Sequence, residues 1–215
     1  MAMQFIPSLK INNKDNILFS DNTLKVGRNA VILFIHENEK IEKKIILNQN
    51  TMLRLFSIYK ENADIKNLFV VSENCTLEIV DIFYGNVRVE NAATLENCNC
   101  ALNLTAKGVI EKNETADYTA LASIGKNATN NDVSIKEHVY LLGKNSRINL
   151  LPGLEIVSNN INARHAATIT QLDEEQLFYI MSRGFSEKRA KKEIISGFLA
   201  HELEIIADQF SNHKM

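Results

Sequence analysis

Between residue 17 and about residue 170 the apolar positions come in short bursts, at 17–19, 31–35, 45–47, 68–71, 77–83, 87–89 and 139–142. Each burst is bounded by Asn, Gly, Ser, Lys or Glu. Runs such as Val87-Arg88-Val89 and Leu102-Asn103-Leu104 alternate with a period of two, which sends successive side chains to opposite faces and predicts strands. The turn residues agree. The chain holds 26 asparagines, recurring throughout its first 162 residues, and Asn tolerates the left-handed backbone region almost as Gly does. Neither Asn-Gly nor Asp-Gly occurs, so the two-residue hairpin loops of barrels and sandwiches are missing. Short strands with polar corners suit a parallel β-helix, whose stacked coils can align Asn side chains at the corners. No strict hexapeptide repeat is visible, which favours the right-handed, irregular form. The predicted fold is mainly β: an N-terminal segment over 1–14, a right-handed parallel β-helix core over 15–170, and a small C-terminal α-helical domain over 171–215.

The helical pattern begins after Gln171. Asp173 to Gln176 has the shape of a capping box, with the Asp carboxylate accepting from the third-residue amide and the Gln reaching back. Leu177, Phe178 and Met181 follow at helix spacing, and Gly184 stands where a left-handed C-terminal cap belongs. Ser186 caps a second helix whose apolar face carries Ala190, Ile194, Ile195, Phe198, Leu199, Leu203 and Ile206. Gly197 inside that run costs about 1 kcal/mol relative to Ala, so the pattern predicts either a break there or a close packing contact. Two short helices on the end of the solenoid would cap it and offer a docking surface.

Composition narrows the function. The formal net charge of −2 lacks the concentrated basic face that phosphate binding needs, and Lys188, Arg189, Lys191 and Lys192 are interrupted by acids. No apolar run approaches the ~20 residues of a membrane span, and residues 1–10 show no secretion signal. A cytoplasmic protein binding neither nucleic acid nor membrane is expected. Cys75, Cys98 and Cys100 are an odd number, against a disulfide framework. In a strand, the thiols of Cys98 and Cys100 would share one face and could supply two cluster ligands with Cys75 as a third; the alternative is that all three are small core residues. A β-helix enzyme acting on polysaccharide would need stacked aromatics and grouped carboxylates, and the chain has no Trp.

Five strings in the last third go further: Pro152-Gly-Leu-Glu-Ile156, Arg164-His165-Ala-Ala-Thr168, Gln171-Leu-Asp-Glu-Glu-Gln-Leu-Phe-Tyr179, Ser182-Arg-Gly-Phe-Ser186 and Gly197-Phe198. Together they resemble the C-terminal signature of the SufB/SufD family, the scaffold subunits of the SUF iron–sulfur cluster assembly machine. The likeness is tight over about 48 residues and extends loosely back to Tyr140-Leu-Leu-Gly143. It implies a right-handed β-helix core that pairs with a second family member, and a helical domain that binds the ABC-type ATPase SufC. No Gly-x-x-x-x-Gly-Lys-Ser/Thr loop is present, so no nucleotide is expected on this chain, and the resemblance implies a scaffold rather than an enzyme. Members usually carry more sequence before the β-helix, so the chain reads as a compact SufD-like version.

Residue by residue, the resemblance places His165 at the subunit interface, near where a transient iron–sulfur cluster assembles. Its imidazole can ligate iron, or it can be an ordinary hydrogen-bonded residue beside an apolar stretch. Many SufD-type members have a cysteine where this chain has Ala163, and SufB-type members have a glutamate where it has Ala166. The SufB thiolate aligns with Glu137, whose carboxylate can hold iron but cannot accept sulfur as a thiolate does. His138 beside it would point to the opposite face. Tyr179, Arg183, Lys188, Arg189, Lys191 and Lys192 are the candidate ATPase contacts, aromatic and Arg side chains being favoured interface anchors. The partner is a second copy or a SufB-like subunit. A structural or regulatory module of the same fold, without cluster chemistry, stays open as the alternative.

Overall fold

The computed structural model describes residues 9–12 and 17–211. Its strands form two seven-stranded sheets. The first sheet holds β1 (Leu9–Asn12), β4 (Ala30–Glu37), β6 (Met52–Lys60), β8 (Thr76–Tyr84), β10 (Ala101–Ile110), β12 (Asn131–Leu141) and β14 (Ile161–Gln171), in that spatial order. The second holds β2 (Ile17–Ser20), β3 (Thr23–Val26), β5 (Lys40–Leu47), β7 (Asp64–Val71), β9 (Arg88–Leu95), β11 (Thr115–Ile124) and β13 (Arg147–Ile156). From β3 onward the chain alternates between the sheets, and each strand pairs in parallel with the strand two places on. That is the parallel β-helix, and parallel crossovers of this kind are right-handed in nearly all proteins. Only β1 and β2, at the first coil, pair antiparallel to their neighbours. The coils are irregular: Ala30 lies beside Leu53, whereas Thr115 lies beside Arg147. Of the expected N-terminal segment, residues 9–12 are strand β1 and the rest lies outside the described residues.

Asparagine holds the corners. Asn38, Asn50, Asn62, Asn74, Asn99, Asn113, Asn130 and Asn145 all have φ between 50° and 66°, in the left-handed region. Their amides stack from coil to coil. Asn74 donates to Asn50 at 3.2 Å, Asn99 to Asn74 at 3.0 Å and Asn130 to Asn99 at 2.7 Å; at the opposite corner Asn62 donates to Asn38 at 3.1 Å. A side chain that tolerates positive φ and also bonds its own kind one coil away explains why Asn recurs there.

Inside, register converts alternation into columns. Leu53, Leu77, Leu102 and Val133 are stacked neighbours in four successive coils, and all are fully buried. Each such side chain contributes roughly 1.5–3 kcal/mol by leaving water.

Helix α1 (Glu174–Ser182) and helix α2 (Glu187–Ser211) follow the last strand. Asp173 is the N-cap of α1 and accepts from the Glu175 amide at 2.9 Å. The expected box is therefore not made: the amide that Asp173 accepts is that of the second residue rather than the third, and Gln176 accepts from the Tyr140 hydroxyl at 3.4 Å. Gly184 adopts φ 92° and its amide bonds the Met181 carbonyl, closing α1 as expected. Ser186 accepts from the Arg189 amide at the start of α2.

Three expectations for the helices are corrected. First, α2 is not short: its 25 residues run unbroken through Gly197, and nothing packs within 4 Å of where a Cβ would sit there. Secondly, the helices do not cap the solenoid end. Ile194, Leu199 and Ile206 pack on the outer face of the first sheet, against Leu33, Phe56, Ile82, Val109, Tyr140 and Leu142. Helix α2, about 37 Å long, therefore runs back across the coils from β12 to β4. Thirdly, Leu203 stays exposed while its neighbour Glu202 is buried, paired with Lys107 of β10 at 2.7 Å.

Candidate functional site

Strands β13 and β14 end their sheets, and among the described residues nothing pairs with their outer edges. The last coil therefore leaves its inward face open. Inward positions on β14 continue the columns below: His165 lies over Ile135 and Ala167 over Glu137. His165 is exposed because no further coil covers it, and its Nδ1 stands 3.2 Å from the Pro152 carbonyl of β13 across the opening. One coil down, Glu137 is only 2% exposed, and neither carboxylate oxygen has a hydrogen-bond partner among the described residues. Burial pushes its carboxyl up to about 8. Ala106 below and Ala167 above offer it no polar atom. The structure thus brings Glu137 and His165 into adjacent columns at the same end. Ala163 shares the inward face with His165, whereas Ala166, next along β14, faces outward.

His138 points the other way, as the alternation predicts. Its Nε2 lies 2.9 Å from the Thr170 hydroxyl, and its ring meets Phe198 of α2 edge-on, with centroids 4.9 Å apart. Burial and the charge of Lys107 push the imidazole below its ordinary range. Lys107, its register neighbour, donates to the Phe198 carbonyl at 2.6 Å and pairs with Glu202. The strands that carry the open end on one side are thus pinned to α2 on the other.

Cys75 and Cys100 are core residues, as one of the two expectations had it, whereas the shared strand face expected of Cys98 and Cys100 is not formed. Cys98 and Cys100 flank Asn99 at a corner, outside strand β10, so they do not share a face. Cys100 is buried beside Cys75, each thiol donating to a carbonyl of the preceding coil: Cys100 to Ser72 at 3.0 Å and Cys75 to Asn48 at 2.9 Å. Cys98 sits partly exposed, 3.3 Å from a Glu73 carboxylate oxygen that raises its thiol above the ordinary range. Among the described residues, no group of three or more His, Cys, Asp or Glu side chains has metal-holding geometry.

A polar network inside the β-helix was not anticipated from the sequence. Asp81 accepts from Tyr118 at 2.6 Å, from Asn91 at 2.7 Å and from Tyr59 at 3.4 Å, and Asn67 bonds Asn91 at 2.8 Å. Nearby, Lys43 and His36 share a 2.7 Å hydrogen bond, and His36 bonds Glu39. Burial drives Asp81 up to about 6 and Lys43 down to about 7. Polar letters inside otherwise alternating strands, Asn67 and Asp81 among them, were the available signal.

On the helices, Phe178, Tyr179 and Met181 are 73%, 59% and 38% exposed, so the apolar face expected of α1 is largely on the surface. Arg183 donates to the Tyr179 hydroxyl at 2.7 Å and stacks on its ring, making one exposed unit. Lys188, Arg189 and Lys192 are exposed; Lys191 pairs with Glu187 at 2.6 Å. No helix among the described residues is long and apolar enough to cross a membrane.

The family model of the SufBD core domain, described as SUF system FeS cluster assembly, matches residues 72–198, more than half of the chain. The iron–sulfur cluster assembly protein SufD of Escherichia coli K12 is 29% identical over 103 residues, covering 48% of this chain and 24% of that protein. SufB of Bacillus subtilis 168 is 30% identical over 101 residues, 47% of this chain and 22% of the relative. A SufBD family protein of Mycobacterium bovis is 31% identical over 101 residues, 47% and 12%. The chain thus spans about a quarter or less of the length of these curated relatives. The match covers the last coils, the open end and the start of the helical pair, and on that ground the chain belongs to the SufBD family of the SUF iron–sulfur cluster assembly system.

Proposed function

We propose that this protein is a non-enzymatic scaffold subunit of SUF iron–sulfur cluster assembly. The observation that carries the reading is the open end, where an exposed imidazole on the last coil stands at strand edges left unpaired, and a buried carboxylate without a hydrogen-bond partner lies one coil down, among the described residues. In this reading the open end pairs with a second β-helix, its own copy or a SufB-like subunit, and the cluster is transient cargo held across that junction. Glu137 and His165 supply one oxygen and one nitrogen ligand; the end offers no thiol, so sulfur ligands come from the cargo or the partner. The helical pair docks the SufC-type ATPase through the Tyr179–Arg183 unit, Phe178 and the basic residues at the start of α2. Nucleotide chemistry belongs to that ATPase.

Anaerobic reconstitution with iron and sulfide, in the presence of the pairing partner, tests the cluster role. A stoichiometric absorbing cluster that is lost in His165→Ala is the expected result. Pairing that persists without any cluster would favour the alternative, a structural module of the same fold, which the missing thiol at the open end supports. Co-purification with SufC tests the docking face: Tyr179→Ala with Arg183→Ala is expected to abolish it, and retention would remove these residues from the interface.

A further inference from the structure

Resting on the reading of His165 as a ligand at the open end, we infer that Pro152 is its positioning residue: the Pro152 carbonyl holds the imidazole hydrogen on Nδ1 and leaves the Nε2 lone pair as the one that meets iron. The local cause lies in the strand. In a parallel sheet the N–H and C=O of one residue turn to the same edge, and successive residues turn to opposite edges. The Arg147 and Val157 amides bond the Glu114 and Ile124 carbonyls at the two ends of β11, so the odd residues of β13 turn toward β11. The even residues, with Pro152 at their centre, turn to the free edge. No further strand bonds the Pro152 carbonyl there among the described residues, and the His165 imidazole supplies its donor at 3.2 Å.

A carbonyl oxygen only accepts, so the Nδ1 that faces it carries the hydrogen. In the neutral ring Nε2 then keeps its lone pair, on the side of the ring away from that carbonyl, and among the described residues it has no hydrogen-bond partner. Imidazole ligands are commonly held in this way. The second nitrogen donates to a carbonyl or carboxylate, which fixes the ring and makes the bare nitrogen a better base. The residue type at 152 sharpens the choice. Any other amino acid would set an N–H at the same free edge beside that carbonyl, a donor to Nδ1 that favours the opposite tautomer; proline has none. Proline is tolerated in this strand because the edge it turns to is free. Its ring stands over Ala120 at the end of the inward column Lys43, Asn67, Asn91, Ala120, which seats the carbonyl on the coil below. The Pro152-Gly-Leu-Glu-Ile156 string thereby acquires a chemical role.

The test is long-range nitrogen–hydrogen correlation NMR on the isotope-labelled full chain at about pH 8.5, well above the ordinary histidine range. The His165 signal is the one missing from His165→Ala. The Nδ1–H form is expected to dominate by about fivefold or more. A free neutral histidine favours the Nε2–H form, so this outcome is not the default. Pro152→Ala keeps the carbonyl and adds the N–H; it is expected to lower the tautomer ratio by at least about threefold while backbone signals away from the open end stay in place, a change that a merely structural proline would not produce. In anaerobic reconstitution with iron and sulfide beside the pairing partner, the same variant is expected to retain severalfold less cluster. A parent chain with the hydrogen on Nε2 would overturn the inference, and that result needs no variant to fold. An unchanged ratio in Pro152→Ala would overturn the part given to proline. Nδ1–H in the parent together with full cluster retention in His165→Ala would instead remove the ligand reading on which the inference rests, so the two fail separately.

Discussion

Asp81 and Glu137 occupy the same inward column of the first sheet, separated only by Ala106, yet their surroundings are opposites. Asp81 is enclosed by hydroxyl and amide donors from Tyr59, Tyr118 and Asn91, with the charge of Lys43 nearby. Among the described residues Glu137 has no donor. A buried carboxylate whose lone pairs are all answered holds its neighbours in one arrangement. One left unanswered costs free energy that the fold must offset elsewhere. The middle coils are a finished structure, and the last coil is an unfinished one.

Removing the finished carboxylate should have the largest effect. Asp81→Ala strands three buried donors and is expected to cost about 3–5 kcal/mol of stability, read by urea unfolding. Removing the unfinished one should do the reverse: Glu137→Leu, which deletes a buried polar group with no partner, is expected to stabilise by about 1–3 kcal/mol while abolishing cluster retention in the paired protein. A loss of stability in Glu137→Leu would mean that the carboxyl has a partner after all.

The same residue sets a pH dependence. The Glu137 carboxyl stands at about 8 in the fold against an ordinary value of 4.5, so between these the folded state binds more protons than the unfolded one. Its contribution is complete below about 4.5 and is lost as the pH rises through about 8. Glu137→Gln should flatten that part of the stability profile, while Asp81, pushed up only to about 6, leaves its own fall at lower pH.

Smaller effects separate surface from core on the helices. Gly197→Ala, in open space within an unbroken helix, should stabilise by roughly 1 kcal/mol. Tyr179→Ala with Arg183→Ala should shift stability by less than about 0.5 kcal/mol, because the unit is exposed, and so leaves any loss of ATPase binding interpretable.

The legible parts of the site were those set by local chemistry. His138 and Glu137 were placed on opposite faces by alternation, and the likeness of its motif singled out His165, which lies exposed on the last coil. That Glu137 lacks a partner was not legible, because its neighbours Ala106 and Ala167 lie 31 and 30 residues away in the chain and are chosen by coil length. Cys98 and Cys100 were misplaced for a related reason: a period of two holds only within a strand, and Asn99 turns the chain between them.

By itself the sequence determined what a residue and its near neighbours can decide: short alternating strands, asparagine corners, the caps at Asp173, Gly184 and Ser186, and the family motif. Only the tertiary structure decided which coil sits on which, that α2 lies along the first sheet, and that the last coil stays open. These depend on stacking between residues 21 to 32 positions apart, where coil length sets every contact and a burst of apolar letters carries no record of its partner.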